Sequence, residues 1–267
     1  MQIYRGCDIV TAKATPAERN LVPHHLLDVL DPSQAYSAAN YARDASTSIA
    51  DIENRGAMPI VCGGTGFYLR ALLEPHTLAV SPPDEELRAR LEAELAASTA
   101  IVMHERLSKI DAAAAARLHS NDTHRVLRAL EVALSPRTET SLDLPPHPAR
   151  VFALQWPRER LVEGIDERVE AMVAAGALEE TRSLLEQFGE EAPALGSVGY
   201  KQIRAYLRGE SRWEEAVELW KIATRQYAKR QMTWFRGQTR ATWLDATLGS
   251  DVLAAAVEAT LGDEVEA

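Results

Sequence analysis

The sequence predicts an α/β fold that is interrupted by an all-helical insertion. Residues 59–73 have the pattern of a short apolar strand, a glycine-rich turn and the start of a helix, and residues 151–156 form a second compact β-like run. The stretch between them is alanine-rich and has helical spacing without the alternation of a strand. We therefore expect an α/β core domain built from residues 1–83 and 148–267, with residues 84–147 as the helical insertion.

The turn Gly63-Gly64-Thr65-Gly66 is the most informative feature of the amino-terminal part. Helical composition over 44–52 precedes an apolar, strand-like run at 59–62, and a helix restarts at 67–73. Glycines let the backbone turn sharply, and the amino terminus of the following helix suits an anionic ligand. Many such turns bind nothing, and the spacing matches neither G-x-G-x-x-G nor G-x-x-x-x-G-K-[ST]. A binding turn and a purely structural turn both stay open.

The predicted insertion begins at Ser81-Pro82-Pro83-Asp84, where serine at an N-cap, proline at the first helical position and acids in the first turn indicate a helix start. Leu87, Leu91 and Leu95 then recur every four residues and form one apolar face. The helical pattern continues to about Ser135. The polar, proline-containing stretch 136–148 closes the insertion.

The carboxy-terminal part returns the chain to a sheet at 151–156 and ends with a predicted last strand at 241–245. Between these strands an amphipathic helix starts at Leu161, is interrupted near Gly176, and is followed by a long helix over about 212–236. On the long helix we expect three aromatic residues spaced seven apart to pack in the core, and a second face to carry mostly basic residues. The aromatic residues are Trp220, Tyr227 and Trp234, and the second face holds Arg225, Lys229, Met232 and Arg236.

Composition favours an ordinary soluble globular chain. The 267 residues are 46% hydrophobic and 25% charged, and no apolar run approaches the roughly 18–20 residues of a membrane span. Cys7 and Cys62 are too few for a disulfide framework and have no metal-ligand spacing, so we expect buried free thiols and no protein-built metal site. The amino terminus lacks the pattern of a signal peptide, which favours the cytoplasm.

The net charge of −10 is unusual for a nucleic-acid-binding protein, but the charges are unevenly distributed. Residues 221–240 contain six basic residues and no acidic one, whereas residues 245–266 are rich in acids. A local basic face of this kind is compatible with an RNA partner.

A set of short blocks in a fixed order resembles the tRNA dimethylallyltransferase family over roughly residues 1 to 246. The blocks are Met1-Gln2-Ile3-Tyr4-Arg5-Gly6, Pro23-His24-His25-Leu26-Leu27-Asp28, Gly63-Gly64-Thr65-Gly66, Asn121-Asp122, Arg128-Ala129-Leu130-Glu131-Val132, Val198-Gly199-Tyr200 and Ala223-Thr224-Arg225-Gln226. Each block alone is weak, but the ordered set is specific. The resemblance implies transfer of a dimethylallyl group from dimethylallyl diphosphate to the N6 amine of the adenosine just 3′ of the anticodon, in tRNAs that read codons beginning with U. It also implies Mg²⁺ as cofactor and a monomer that acts on tRNA.

The resemblance further implies a P-loop NTPase-like parallel sheet whose first strand and phosphate-binding loop are missing here. Members of the family begin with a loop resembling G-P-T-x-S-G-K-T and reach Asp-Ser directly before the Met-Gln that opens this chain, and no G-x-x-x-x-G-K-[ST] occurs in the sequence. We expect a misassigned start or a truncated gene. The family's catalytic aspartate would stand two residues before Met1, so we expect impaired transfer by this chain.

The resemblance assigns roles to individual residues. Thr65 is the expected catalytic residue, hydrogen-bonding near the reacting amine and the leaving oxygen, and Arg225 is expected to hold the diphosphate. The expected tRNA-contacting residues are Met1, Gln2, Arg88, His124, Arg125, Val126, Leu127 and Arg128. Asp8 and Asp28 are the nearest early acids that could replace the missing base, but capping or turn formation explains them better.

Two alternatives stay open beside the tRNA-modifying enzyme. An isopentenyltransferase acting on free adenylate has a related core, although the helical insertion and the basic late helix favour tRNA. The chain could also be a truncated, non-catalytic remnant that binds RNA.

Overall fold

The structure, a computed structural model, describes residues 1–77, 84–135, 142, 144–145, 147–238 and 240–262. The chain divides into two compact units, Met1–Leu73 with His147–Ala267, and Glu74–Pro146. In chain order the α-helices are α1 (Pro16–Leu21), α2 (Ala38–Asn54), α3 (Gly66–Leu73), α4 (Glu85–Ala97), α5 (Ala100–Ile110), α6 (Ala112–Ala115), α7 (Thr123–Leu134), α8 (Arg158–Ala174), α9 (Ala177–Phe188), α10 (Tyr200–Leu207), α11 (Trp213–Gln238) and α12 (Ser250–Gly262).

The sheet of the first unit consists, in the described residues, of two parallel strands. Strand β1 (Val151–Gln155) pairs in register with β2 (Ala241–Asp245). The chain between them passes through α8 to α11, as the long crossover of a parallel pair requires. Both strands lie where the sequence predicts them. The mixed α/β class is therefore confirmed.

The predicted strand at 59–62 is wrong. These residues form no strand, and Ile60 is 79% exposed although it is apolar. A strand forms only where a neighbouring backbone supplies hydrogen bonds. No described segment pairs with residues 59–62, so an apolar run that is typical of a strand stays irregular.

The core of the first unit is formed largely by α8 to α11. Val169, Leu195, Tyr200, Ile203 and Trp220 are among its most deeply buried members, and residues of the amino-terminal segment pack into the same cluster. Burial of each large apolar side chain contributes roughly 1.5–3 kcal/mol.

Helix α8 ends where the sequence predicts an interruption. Gly176 has a φ of 101°, a left-handed conformation that favours glycine, and α9 begins at the next residue. This break turns the chain so that α9 starts a new direction instead of extending α8.

The expectation that three aromatic residues of α11 share the core is only partly right. Trp220 is buried, but Tyr227 is 39% exposed and the Arg230 guanidinium lies 5.9 Å from the centre of its ring. Positions seven apart share a face only approximately, and what packs against each turn of a long helix differs along its length. None of the helices in the described ranges is both long and apolar enough to cross a bilayer.

The second unit is helical throughout its described part. Leu87 and Leu91 of α4 are buried against Met103 and Leu107 of α5 and against Leu130 of α7. Asp84 caps the amino terminus of α4, and its Oδ1 accepts a hydrogen bond of 2.9 Å from the Leu87 backbone N–H. The predicted N-cap Ser81 lies outside the described residues, as does most of the closing stretch 136–148.

Candidate functional site

The glycine-rich turn places Thr65 at the start of α3. Its backbone carbonyl accepts hydrogen bonds from the N–H groups of Tyr68 (2.9 Å) and Leu69 (3.1 Å), so the main chain of Thr65 begins the helix. The residue itself is exposed. Within the described residues the Thr65 hydroxyl makes no hydrogen bond, which leaves it available to a ligand beside the helix amino terminus.

Helix α11 packs directly on this turn. The Gln231 side chain donates a hydrogen bond of 2.9 Å from Nε2 to the carbonyl of Gly64. A Cβ added at Gly64 would lie 1.8 Å from that nitrogen, and one added at Gly66 would lie 2.3 Å from Cδ2 of Trp234. A Cβ at Gly63 would meet no atom within 4 Å. Packing against the rigid indole of Trp234 thus requires a glycine at position 66, whereas position 64 meets only the end of the flexible Gln231 side chain. The turn therefore has a structural role at Gly66, one of the two roles that the sequence leaves open.

Arg225, expected to hold diphosphate, is also on α11. Its guanidinium donates from Nε to Asp166 Oδ1 (2.9 Å) and from Nη2 to Oδ2 (2.6 Å), a two-point pair with α8. This hydrogen bonding with Asp166 raises the pKa of Arg225 above its usual value. One turn earlier on α11, the Lys221 ammonium lies 2.5 Å from the Glu170 carboxylate of α8. Two opposite-charge pairs, one turn apart, therefore join α8 and α11. The guanidinium is held in one orientation and is still partly exposed.

The two early acids that could replace a missing base are engaged with cations. The ammonium of Lys13 lies 2.6 Å from both Asp8 Oδ1 and Asp28 Oδ1, and Arg19 lies 2.7 Å from Asp28 Oδ2. Burial by itself raises the pKa of Asp28, but the hydrogen bonds from Lys13 and Arg19 outweigh it and lower the pKa. A carboxylate with a lowered pKa is a weaker base, so Asp28 is suited to structure.

Of the two amino-terminal residues expected to contact tRNA, Met1 is exposed and Gln2 is half-buried. Gln2 donates from Nε2 to the carbonyls of Thr11 (3.1 Å) and Ala12 (2.9 Å). Because both hydrogens of the amide are directed at the loop, its oxygen is the group left to accept from a ligand.

The other residues expected to contact tRNA lie in the second unit. His124 and Arg125 are exposed, the latter with 73% of its side chain accessible. Arg128 lies 2.8 Å and Arg88 3.8 Å from the buried carboxylate of Glu131, which orients both cations. Val126 and Leu127, in contrast, are 1% and 9% exposed and belong to the core of the unit. Their side chains offer almost no surface to RNA, because positions spaced three and four apart on an amphipathic helix share one inward face, which here holds Val126, Leu127 and Leu130.

The sequence does not predict the role of several residues at the site. Asp166 and Glu170 are spaced i, i+4 on α8 and match Lys221 and Arg225, but nothing in the sequence says that these helices adjoin. Gln231 and Trp234 follow the Arg225 block without any indication that they reach the glycine turn. Among the described residues no group of three or more His, Cys, Asp or Glu side chains is arranged to hold a metal ion.

Comparison with known proteins shows similarity over nearly the whole chain. A family model described as IPP transferase matches residues 2–238. The tRNA dimethylallyltransferase of Symbiobacterium thermophilum is 44% identical over 253 residues, covering 92% of this chain and 79% of the relative. That of Anaeromyxobacter dehalogenans is 45% identical over 264 residues, covering 96% and 88%.

Solved structures of tRNA-modifying transferases are similar to this chain as well. The tRNA isopentenylpyrophosphate transferase of Bacillus halodurans matches with a TM-score of 0.72 at 36% identity, covering 99% of this chain and 86% of that one. A eukaryotic dimethylallyltransferase acting on tRNA matches with a TM-score of 0.75 at 27% identity, covering 98% and 71%.

Proposed function

This chain belongs to the IPP transferase family, and on that premise we propose that it transfers a dimethylallyl group from dimethylallyl diphosphate to the N6 amine of the adenosine just 3′ of the anticodon. It is a prenyltransferase that modifies tRNA. The observation that carries the proposal within the chain is the turn at Thr65. There a hydroxyl that has no hydrogen-bond partner among the described residues stands at a helix amino terminus, against the helix that bears Arg225.

The reaction needs one bond to form and one to break. The N6 nitrogen forms a bond to the first carbon of the dimethylallyl group, the carbon–oxygen bond to diphosphate breaks, and the leaving group takes the electron pair. The amine then gives up a proton to a base. Thr65 is proposed to hydrogen-bond the amine and the departing oxygen, which aligns the reacting atoms.

Arg225 is proposed to stabilise the charge that develops on the diphosphate. Its guanidinium is permanently charged and suits phosphate oxygens, and its pair with Asp166 fixes the direction in which the remaining N–H groups point. We expect the hydrogen bonds between Arg225 and Asp166 to rearrange when diphosphate binds, because the carboxylate and the diphosphate accept from the same N–H groups.

Mg²⁺ is proposed to accompany the diphosphate, where it would neutralise charge on the phosphate oxygens. Mg²⁺ sites of this kind take most of their ligands from phosphates and water, so a protein needs to contribute few of them. Arg225 and Thr65 would then act on the same diphosphate from the protein side.

The general base stays a prediction of its own. We propose that it is neither Asp8 nor Asp28, but an aspartate of the kind that the family pattern places beside a phosphate-binding loop of a P-loop NTPase-like sheet. The ion pairs of the two early acids support this, because the ammonium of Lys13 lies 2.6 Å from both the Asp8 and the Asp28 carboxylate.

For the tRNA, we propose contact with Met1, Gln2, Arg88, His124, Arg125 and Arg128. Arg88 and Arg128 are held by Glu131 and Arg125 is well exposed, an arrangement that suits phosphates of the RNA backbone. The helical unit that carries the four later residues is the observation that favours tRNA over a free adenylate, which would need no such surface.

The test is a transfer assay with this chain, unmodified tRNA, dimethylallyl diphosphate and Mg²⁺, with the nucleosides analysed by mass. We expect dimethylallyl-adenosine above the level of a Thr65→Ala control, and no product when AMP replaces tRNA. Transfer that survives both Asp8→Asn and Asp28→Asn would support a base other than these two acids. Product on AMP but not on tRNA would instead identify an adenylate isopentenyltransferase. Light scattering of the same sample tests the expected monomer.

A further inference from the structure

A single carboxylate on α9 gathers donors from two distant parts of the first unit. Glu180 Oε2 accepts hydrogen bonds from the backbone N–H groups of Asp8 (2.9 Å) and Ile9 (2.6 Å), and Oε1 accepts from the N–H of Val10 (3.1 Å). Oε1 also accepts from the Tyr200 hydroxyl at 2.6 Å. Three successive main-chain donors converging on one anion form a nest, an arrangement that otherwise receives phosphate or carboxylate ligands.

Tyr200 keeps this carboxylate in place. The side chain is fully buried, and burial followed by the charge of Glu180 raises the pKa of Tyr200 far above its usual value, so the hydroxyl stays protonated and donates. Gly199, with a φ of 93°, brings the start of α10 against the same loop, since a Cβ there would lie 2.4 Å from Cγ1 of Val10. The loop is therefore anchored to both α9 and α10.

The other end of this loop, which we call the anchored loop (residues 8–13), holds Gln2. The Gln2 amide bonds to the carbonyls of Thr11 and Ala12, and Ala12 has a φ of 49°, a left-handed conformation that costs an alanine about 1–2 kcal/mol. Lys13 closes the loop by donating to the Tyr4 carbonyl, Asp8 and Asp28, each at 2.6 Å. A strained residue of this kind persists only where its surroundings hold it.

We propose that Glu180 is a positioning residue for the tRNA substrate: it fixes the anchored loop and thereby the Gln2 side chain in the form that meets the RNA. The inference rests on the proposed function, since it assumes an RNA substrate at Gln2. Without the Glu180 carboxylate, the backbone N–H groups of the loop lose one or both of their acceptor oxygens, and the loop samples other conformations. RNA binding then has to order the loop as well, which lowers affinity for RNA but leaves the donor site at Arg225 unaffected.

The experiment uses the full chain and Glu180→Gln, which keeps the volume but presents an amide NH₂ among four donors. Affinity for a fluorescent, unmodified anticodon stem-loop RNA is measured by anisotropy, KM for dimethylallyl diphosphate by transfer, and loop opening by hydrogen exchange at Asp8, Ile9 and Val10. We expect RNA binding to weaken about tenfold, exchange at the three amides to accelerate, and the donor KM to stay within about twofold.

Two further variants separate positioning from general destabilisation. Thr181→Ala removes the next buried side chain of α9, whose hydroxyl bonds within the helix to Ala177 at 2.7 Å, and it should leave RNA affinity unchanged even if the melting temperature falls. Tyr200→Phe removes one of the four donors and should weaken RNA binding less than Glu180→Gln does. Equal RNA affinity for Glu180→Gln and the unaltered chain, or equal weakening by Thr181→Ala, would overturn the proposal. If the unaltered chain bound no RNA, the proposed function would fail, and this inference with it.

Discussion

In Thr65 the main chain has the structural role, and the side chain is available for chemistry. The carbonyl begins α3, whereas the exposed hydroxyl has no protein partner among the described residues. Thr65→Ala should therefore leave the melting temperature nearly unchanged and lower kcat for transfer by about tenfold to a hundredfold. Thr65→Ser, which keeps the hydroxyl, should retain most of the activity. Transfer kinetics with saturating tRNA measure both, and an equal loss in the two variants would contradict a role for the hydroxyl.

Arg225 supports a second prediction at the scale of the single residue. Arg225→Gln removes the charge proposed to hold diphosphate, so kcat/KM for dimethylallyl diphosphate should fall by about a hundredfold, with a smaller loss for Arg225→Lys. The matched control is Arg160→Gln, since Arg160 is a surface arginine of α8 that lies 3.4 Å from Glu163. Its loss should leave donor kinetics unaltered. Unchanged donor kinetics in Arg225→Gln would rule out the proposed diphosphate contact.

At the scale of the element, the contact between α11 and the glycine turn decides which glycines matter for stability. Gly66→Ala would push a methyl group to 2.3 Å from Trp234, so either the indole or the helix must move, at a cost of about 1–3 kcal/mol. Gly63→Ala meets no neighbouring atom within 4 Å and should be close to neutral. Urea unfolding of the two variants tests this contact. Equal destabilisation would mean that α11 does not press on the turn at Gly66.

The second unit shows how an element can hide residues that a family pattern groups together. The family pattern groups residues 124–128 as one RNA-contacting run. In α7, however, Val126 and Leu127 point into the core of the second unit. A helix advances about 100° per residue, so five consecutive residues always cover more than one face. Contacts with RNA on this helix are therefore expected only from His124, Arg125 and Arg128.

For the molecule as a whole, the lowered pKa values of several carboxyl groups predict that the folded protein loses stability in acid. Wherever the pKa of an Asp or Glu carboxyl group in the described residues departs from its ordinary value, it is lowered. The groups are those of Glu18, Asp28, Asp31, Glu190, Glu210 and Asp245. A carboxyl group whose pKa is lower in the folded state contributes stability above its unfolded pKa, and that contribution is lost as the pH falls through the folded value. The free energy of unfolding should hold from pH 7 to pH 5 and decline below about pH 4.5.

Urea denaturation at pH 7, 5, 4 and 3 measures this decline. Arginine partners account for several of the shifts, so Arg204→Gln, which removes the cation 2.5 Å from Glu190, should reduce the loss of stability between pH 5 and pH 3. Undiminished stability at pH 3 would show that these ion pairs contribute nothing measurable, as is true of many exposed pairs.

The sequence by itself determined the features that depend on neighbouring residues. Several features follow from local spacing and local backbone preference. They are the four-residue recurrence of Leu87 and Leu91, the break at Gly176, the strands near 151 and 241, and the helix predicted at 67–73 after the glycine turn. The ordered blocks also predicted the family, and the family model over residues 2–238 and relatives of 44% and 45% identity confirm it. None of these inferences needs to know which segments adjoin in space.

Only the tertiary structure decided the features that join distant parts of the chain. The run at 59–62 is not a strand because a strand needs a partner, and Gly66 is required because Trp234 lies against it. Asp166 meets Arg225, and Glu180 meets residues 8–10, across separations of 59 and more than 160 residues. Hydrogen bonds and close packing depend on distances of a few ångströms, and a sequence does not fix such distances between segments that only folding brings together.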